Sequence, residues 1–272
     1  MILKEGQESR EAKEGRAENE GAADILMLHG WGTHAGIWKK VSSELEAKTE
    51  ASALALDFPG YGSLSELTCP DQLDDLVEYV LERAPSRSIW AGWSLGGMVA
   101  MRAAVLAPER VSALFLICST SKFVSSPDWP WGTDINLFEN FVEGLDQDYG
   151  RNLRRFLLLQ AGDNRLAREL SRPIAEIVAS SPKPSSATLL NGLKLLKHID
   201  LRDQLSQLKV PVHLFSGQLD RICHPKASNW IAEQVNGTLN EIRCGHCPLL
   251  SHPEELTQQL SALAKLVCET SK

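Results

Sequence analysis

The 272-residue chain has no apolar run long enough to span a bilayer. It also lacks an apolar segment behind its first methionine, because Met1-Ile2-Leu3 runs straight into Lys4-Glu5. The expectation is a soluble cytoplasmic protein without a membrane partner, its six cysteines kept as thiols. Positive charge is scarce as well. A formal net charge of −7 repels nucleic acid and anionic lipid, which argues against either as a partner. Internal repeats are absent, and Cys244-Gly245-His246-Cys247 has no second Cys/His pair to complete a zinc site. The same four residues spell a redox C-x-x-C, but outside the small βαβ setting in which that motif works. No metal and no cofactor are expected.

Apolar residues make up 43% of the chain and charged residues 23%, so a large core can be buried. Residues 1–22 stand apart. They are charged, Gly-punctuated and almost free of large apolar side chains, and are read as a disordered leader. From Ala23 strand-like runs alternate with helical patterns. Asp24–Leu28, Ala51–Leu56, Ser88–Trp93, Val111–Cys118, Val212–Gly217 and Leu239–Cys244 read as strands. Pro70–Ala84, a helix from Leu95 towards Pro108, and Pro253–Val267 read as helices. That alternation predicts an α/β fold with a mostly parallel central sheet and helices on both faces.

Residues 122–199 break the alternation. Phe138, Phe141, Val142 and Leu145 recur at helical spacing, as do Leu153, Phe156, Leu157 and Gln160, and then Leu189, Leu190, Leu193 and Leu196. This segment reads as an inserted helical cap, leaving 23–121 and 200–272 as the core.

Gly92-Trp93-Ser94-Leu95-Gly96 fits the G-x-S-x-G elbow, with a strand before it and a helix after it. Such a turn lifts a serine hydroxyl clear of the sheet and sets it at a helix N-terminus, which favours developing negative charge. His29-Gly30-Trp31-Gly32 follows the first strand, where an oxyanion loop belongs, so the backbone N–H groups of Trp31 and Leu95 are the candidate donors. Among seven histidines, His246 alone follows a late strand and completes the order Ser…Asp…His. Asp220, just past the strand Val212–Gly217, is the preferred acid, with Asp200 and Asp203 as spares. A serine at the elbow excludes the dehalogenases, whose nucleophile is a carboxylate.

Leu28-His29-Gly30-Trp31-Gly32, Asp57-Phe58-Pro59-Gly60-Tyr61-Gly62, the elbow and His246-Cys247-Pro248 together resemble the α/β-hydrolase superfamily over residues 24–268. Trp90 through Gly97, Pro108-Glu109-Arg110-Val111, Asp128-Trp129-Pro130, Arg155 through Gln160, Leu190-Asn191-Gly192-Leu193 and Asp200-Leu201-Arg202 narrow the likeness. They are similar to the pimeloyl-[acyl-carrier protein] methyl ester esterases of biotin synthesis. The resemblance implies Ser94, Asp220 and His246 as the triad, and Trp31 and Leu95 at the oxyanion loop and pocket beside His246. It also implies that Phe156, Leu157, Leu158, Leu159 and Gln160 line an acyl channel. The charged leader and the Ala161–Arg165 turn depart from the family pattern, and the turn puts chain-length preference in question.

One charge pattern belongs with these. Arg151 with Arg155, and Arg168 with Arg172, each sit four apart, which places each pair on one helix face. A solvated face is the usual fate of such runs. The resemblance implies instead that these four arginines grip an acidic acyl carrier protein. A general esterase or lactonase of small free esters, and a hydrolase-fold receptor with little turnover, are the alternative functions.

Overall fold

A computed structural model describes residues 24–147 and 164–270. Six strands build one sheet: β1 (Ile25–Leu28), β2 (Ala53–Leu56), β3 (Ser88–Trp93), β4 (Val111–Ile117), β5 (Val212–Gly217) and β6 (Thr238–Ile242). Their order is β2-β1-β3-β4-β5-β6, and every neighbouring pair among the described residues is parallel, where a mostly parallel sheet was expected. Among the described residues the helices of eight or more residues are α1 (Lys39–Lys48), α2 (Leu73–Leu81), α3 (Leu95–Leu106), α4 (Ile135–Gln147), α5 (Asn164–Ala179), α6 (Ser186–His198), α7 (Pro225–Val235) and α8 (Pro253–Thr270).

Side-chain alternation divides the core in two. Leu26, Leu28, Trp90, Leu114 and Leu116 point to one face, against Leu76, Met98, Val99 and Ile231 of α2, α3 and α7. Ile25, Met27, Ile89, Trp93, Phe115 and Phe215 point to the other, against Val41, Leu45, Leu256 and Leu260 of α1 and α8. Strands buried on both faces need apolar residues at nearly every position, which is why these runs read as continuous rather than alternating.

Some element ends differ from the sequence expectation. β4 stops at Ile117 because Cys118 turns into the left-handed region, φ +44. β6 ends at Ile242, two residues before Cys244, whose N–H donates to the Ile242 carbonyl and closes a turn. The first predicted helix shortens to Leu73–Leu81, since Gln72 before it is extended. α1 and α7 left little trace in the pattern. α1 buries only Val41 and Leu45, too short an apolar stripe to show a period.

Between β4 and β5 lie α4, α5 and α6. The neck of this segment is pinned: Lys122 and Asp200 form an antiparallel bridge, and their side chains pair at 3.1 Å. Leu201 N–H also donates to the Ser121 carbonyl at 2.8 Å. The helices rest on the loops at the carboxyl ends of the strands. Trp31 Nε1 donates to Leu189 O at 3.0 Å, Asn191 Nδ2 to Cys69 O at 2.8 Å, and His34 Nε2 lies 2.7 Å from Ile177 O.

Candidate active site

The sheet order reverses at β1 and β3: the chain leaves β1 for one edge and returns beside it. Parallel sheets bind ligands outside the carboxyl ends of the strands at such a switch. Here those ends carry His29-Gly30-Trp31 and Ser94.

Ser94 occupies φ +56, ψ −120, a backbone conformation costly for any residue with a Cβ. Its surroundings hold it there. Its N–H donates to Ile117 O at 3.0 Å, and its carbonyl accepts from Gly97 N–H and from Ser119 Oγ, the latter at 2.8 Å. Three glycines admit the crossing. A Cβ on Gly96 would meet the Leu28 carbonyl of β1, one on Gly92 the Gly96 carbonyl, and one on Gly97 the Ser119 hydroxyl. The elbow and the first turn of α3 therefore pack directly on the backbone of β1.

Two loops bring the partners. His246 follows β6 and Asp220 follows β5. His246 Nε2 lies 3.0 Å from Ser94 Oγ, and His246 Nδ1 lies 2.8 Å from Asp220 Oδ2. The other carboxylate oxygen accepts from the N–H groups of Ile222 and Cys223 at 2.8 and 2.9 Å. A carboxylate that only accepts assigns the proton to Nδ1 and leaves the Nε2 lone pair facing the serine. His246 is 1% exposed, Asp220 5% and Ser94 9%, so the hydroxyl is the member of the set nearest solvent. Trp93, fully buried beneath the histidine, donates from Nε1 to the His246 carbonyl at 2.7 Å. The arrangement is chemically a nucleophile with its base and the base with its orienter, each within hydrogen-bond reach.

A family model described as the alpha/beta hydrolase family matches residues 25–259. A pimeloyl-[acyl-carrier protein] methyl ester esterase of Nitrosomonas europaea is 40% identical over 243 residues, covering 88% of this chain and 95% of its own. Its counterpart in Pectobacterium carotovorum is 36% identical over 252 residues, covering 92% and 97%. The chain belongs to this esterase family of α/β hydrolases. An esterase from Exiguobacterium antarcticum superposes with a TM-score of 0.79 at 20% identity, covering 90% of this chain and 93% of its own. An enol-lactonase from Burkholderia xenovorans does so with 0.76 at 17%, covering 90% and 92%. These two likenesses establish the fold alone.

For this member of the family, the fold brings together Ser94, His246 and Asp220 from positions up to 152 residues apart. Trp31 is buried, its ring edge-on to Phe141 of α4 and its indole N–H on α6. Leu95 is buried at the start of α3, directly after Ser94. The spare acids lie elsewhere: Asp200 pairs with Lys122 and Arg202, and Asp203 is exposed in a 3-10 turn. Phe156, Leu157, Leu158, Leu159 and Gln160, with Arg151 and Arg155, lie outside the described residues, as does the charged leader. Arg168 falls within α5. Arg172 is exposed there, and its guanidinium pairs with Glu176 at 2.7 Å.

Sequence reasoning missed the support under the His29-Gly30-Trp31-Gly32 turn. His29 is fully buried; its Nε2 accepts from Phe58 N–H at 3.0 Å and its Nδ1 reaches Gly30 O at 2.8 Å. Burial drives its pKa down to about 4, against a smaller upward pull from Gly30 O and Asp57. Burial pushes the Asp57 carboxyl up. The N–H of Ala35 and the N–H and hydroxyl of Ser63 outweigh this and hold Asp57 below the usual carboxylate value. The motifs that hold both residues were visible in the sequence, but their spacing says nothing of these bonds. Cys118, Cys223, Cys244 and Cys247 are all buried, and burial pushes the thiols of Cys118 and Cys223 well above their ordinary value and Cys247 to about 12. Thiols so held are poor nucleophiles, which fits the expectation that C-x-x-C is not a redox motif here.

Proposed function

We propose that this chain is a serine carboxylesterase that removes the methyl group from a pimeloyl chain carried on acyl carrier protein, in biotin synthesis. The relay from Ser94 through His246 to Asp220, at 3.0 and 2.8 Å, carries the ester chemistry. Kinship at 40% identity across 88% of the chain with an esterase so named supports the substrate.

In this reading Ser94 Oγ attacks the ester carbonyl while His246 Nε2 takes the hydroxyl proton. The carbonyl oxygen becomes an oxyanion held by the backbone N–H groups of Trp31 and Leu95, each such donor being worth about 10²–10³ in rate. The imidazolium, steadied by Asp220, returns the proton to the departing methoxide, which leaves as methanol. Water then attacks the acyl-serine by the same route, giving a free carboxylate and restoring Ser94. The reaction requires no metal and no cofactor.

Residues 122–199 act as a cap over the core formed by 23–121 and 200–272, with its neck at the Lys122–Asp200 bridge. Phe156–Gln160 line the channel for the acyl chain. Arg151, Arg155, Arg168 and Arg172 meet the acidic carrier, the last exchanging its bond to Glu176 for a carrier acid. The enzyme works in the cytoplasm. No described helix is long and apolar enough to cross a membrane, which agrees with that placement. No specific observation favours an esterase of small free esters or a receptor over this reading.

The test is product analysis by mass spectrometry with methyl pimeloyl carrier protein beside free dimethyl pimelate. The carrier-bound ester should lose the mass of one methylene group, and reversing the four arginines to Glu should slow it at least tenfold more than the free diester. Turnover of the free diester alone would establish the small-ester reading. Equal losses on both substrates would remove the arginines from carrier binding.

A further inference from the structure

Behind the triad the fold assembles a set of donor atoms that the ester chemistry does not use as a set. Cys118 stands at the carboxyl end of β4, where its left-handed backbone turns the chain away from the sheet. Its Sγ, a carboxylate oxygen of Asp220 and a ring nitrogen of His246 all lie within 4.8 Å of one another, and all three residues are buried. A second sulfur, that of Cys244, is buried in the same loop as His246, beside the Gly245 carbonyl that accepts from the Cys118 thiol at 3.7 Å. Gly217 leaves room for that sulfur: a Cβ there would come within 3.0 Å of Cys244 Sγ and closer still to two backbone carbonyls.

We infer that Cys118, Asp220 and His246 form an inhibitory site for a thiophilic divalent cation such as Zn²⁺ or Cd²⁺. This rests on the triad reading above, because His246 is the residue the cation would disable.

The donor set suits such an ion. Sulfur, imidazole nitrogen and carboxylate oxygen are the ligand types of zinc, with bond lengths of about 2.0–2.3 Å that bring ligand atoms to separations within the present spread. Charge balances too. A thiolate and a carboxylate together neutralise one divalent cation, so the filled site carries no net charge in a buried place, where an uncompensated ion would be costly. The protons are accounted for. Cys118 Sγ gives up its proton to solvent as the metal–sulfur bond forms. The metal takes the Nδ1 lone pair, so the single proton of the neutral ring moves to Nε2. The ring then presents N–H to Ser94 Oγ in place of a lone pair, and cannot accept the serine proton. Inhibition therefore follows from tautomer, without any change at the serine.

The sequence alone gave no reason to expect this. Cys244 and Cys247 read as half of a zinc motif with no partner pair. The fold supplies partners from other strands and brings them to the histidine inside that motif, His246.

The test uses the full chain in three forms: unaltered, Cys118→Ala and Cys247→Ala. Cd²⁺ is titrated while the ultraviolet thiolate-to-cadmium charge-transfer band is read, and Zn²⁺ inhibition of p-nitrophenyl ester hydrolysis is measured in parallel, with reversal by chelator. The unaltered chain and Cys247→Ala should show the band at one equivalent, and Zn²⁺ should inhibit both alike. Cys118→Ala should keep its ester activity, lose the band and need about 100-fold more Zn²⁺, losing a ligand being at least as severe as losing an outer partner. Thermal melting of each variant without metal confirms that it is folded. A full band in Cys118→Ala, or equal Zn²⁺ sensitivity in that variant and the unaltered chain, would overturn the site. The band reports on the site even on a chain without esterase activity, so failure of the proposed function is separately visible.

Discussion

The junction of β1, β3 and α3 and the segment between β4 and β5 serve the same site in opposite ways. At the junction, backbone passes backbone with no slack. Gly92 and Gly96 each face a carbonyl where a Cβ would sit, Ser94 is held at φ +56, and Trp93 is locked to the His246 carbonyl. In the segment between β4 and β5 the contacts are made by side chains. Leu137 is 66% exposed, Lys197 pairs with Glu139 and Arg172 with Glu176 at the surface, and the inward bonds among the described residues include those of the Trp31 indole, the Asn191 amide, the His34 imidazole and the Thr188 hydroxyl. Exposed ion pairs contribute about 0–1 kcal/mol each, so little fixes that segment beyond its apolar face. A reacting centre has to hold atoms to fractions of an ångström, whereas a surface that, under the proposed function, selects an acyl chain or a carrier can vary without harming the chemistry.

The largest contrast lies in activity. Ser94→Ala should reduce ester hydrolysis by about 10⁴-fold or more with folding intact, measured by initial rates and circular dichroism on purified protein. Near-normal turnover would remove the serine from the mechanism and with it the contrast.

Next comes stability, compared between a glycine of each region. Gly96→Ala drives a methyl group into the Leu28 carbonyl and should cost about 3 kcal/mol or more in urea unfolding, at the upper end for overpacking. Gly192→Ala in α6 meets the buried Trp31 ring at 2.6 Å rather than a backbone carbonyl, and should cost about 2–3 kcal/mol. Similar costs at the two positions would show that both regions are equally free to adjust.

The smallest effect comes from acid. The pKa of His29 in the folded state is about 4, below its ordinary value of 6.5, so the unfolded chain binds more protons between those values. The stability this group contributes is full above about 6.5 and is lost as the pH falls towards 4. The junction should lose about 2 kcal/mol from this group alone between pH 7 and pH 5, seen by urea unfolding. Imidazole NMR should find one ring that stays neutral to near pH 4. A His29 ring that titrates near 6.5 would mean the oxyanion turn is less tightly buried than its packing indicates.

Much of this was legible in the chain. Strand-like runs alternating with helical patterns announced a parallel sheet, and Gly92–Gly96 between a strand and a helix announced an elbow, because both depend on local sequence. The order of Asp220 and His246 after late strands singled them out from the spare acids and six other histidines. Strand and helix ends were less legible. β4 ends where Cys118 adopts φ +44, and β6 ends in a turn before Cys244, choices set by what each loop must reach.

By itself the sequence determined which faces are apolar, where the turns fall and which residue types can do ester chemistry, since these follow from periodicity and side-chain chemistry. Tertiary structure alone decided which distant groups meet. His29 beneath the turn that holds Trp31, Trp93 holding the His246 loop, and Cys118 within 4.8 Å of Asp220 and His246 come from separate loops at the ends of neighbouring strands. Spacing along the chain carries no record of such meetings. They arise because parallel strands in the order β2-β1-β3-β4-β5-β6 deliver all their carboxyl ends to one edge of the sheet.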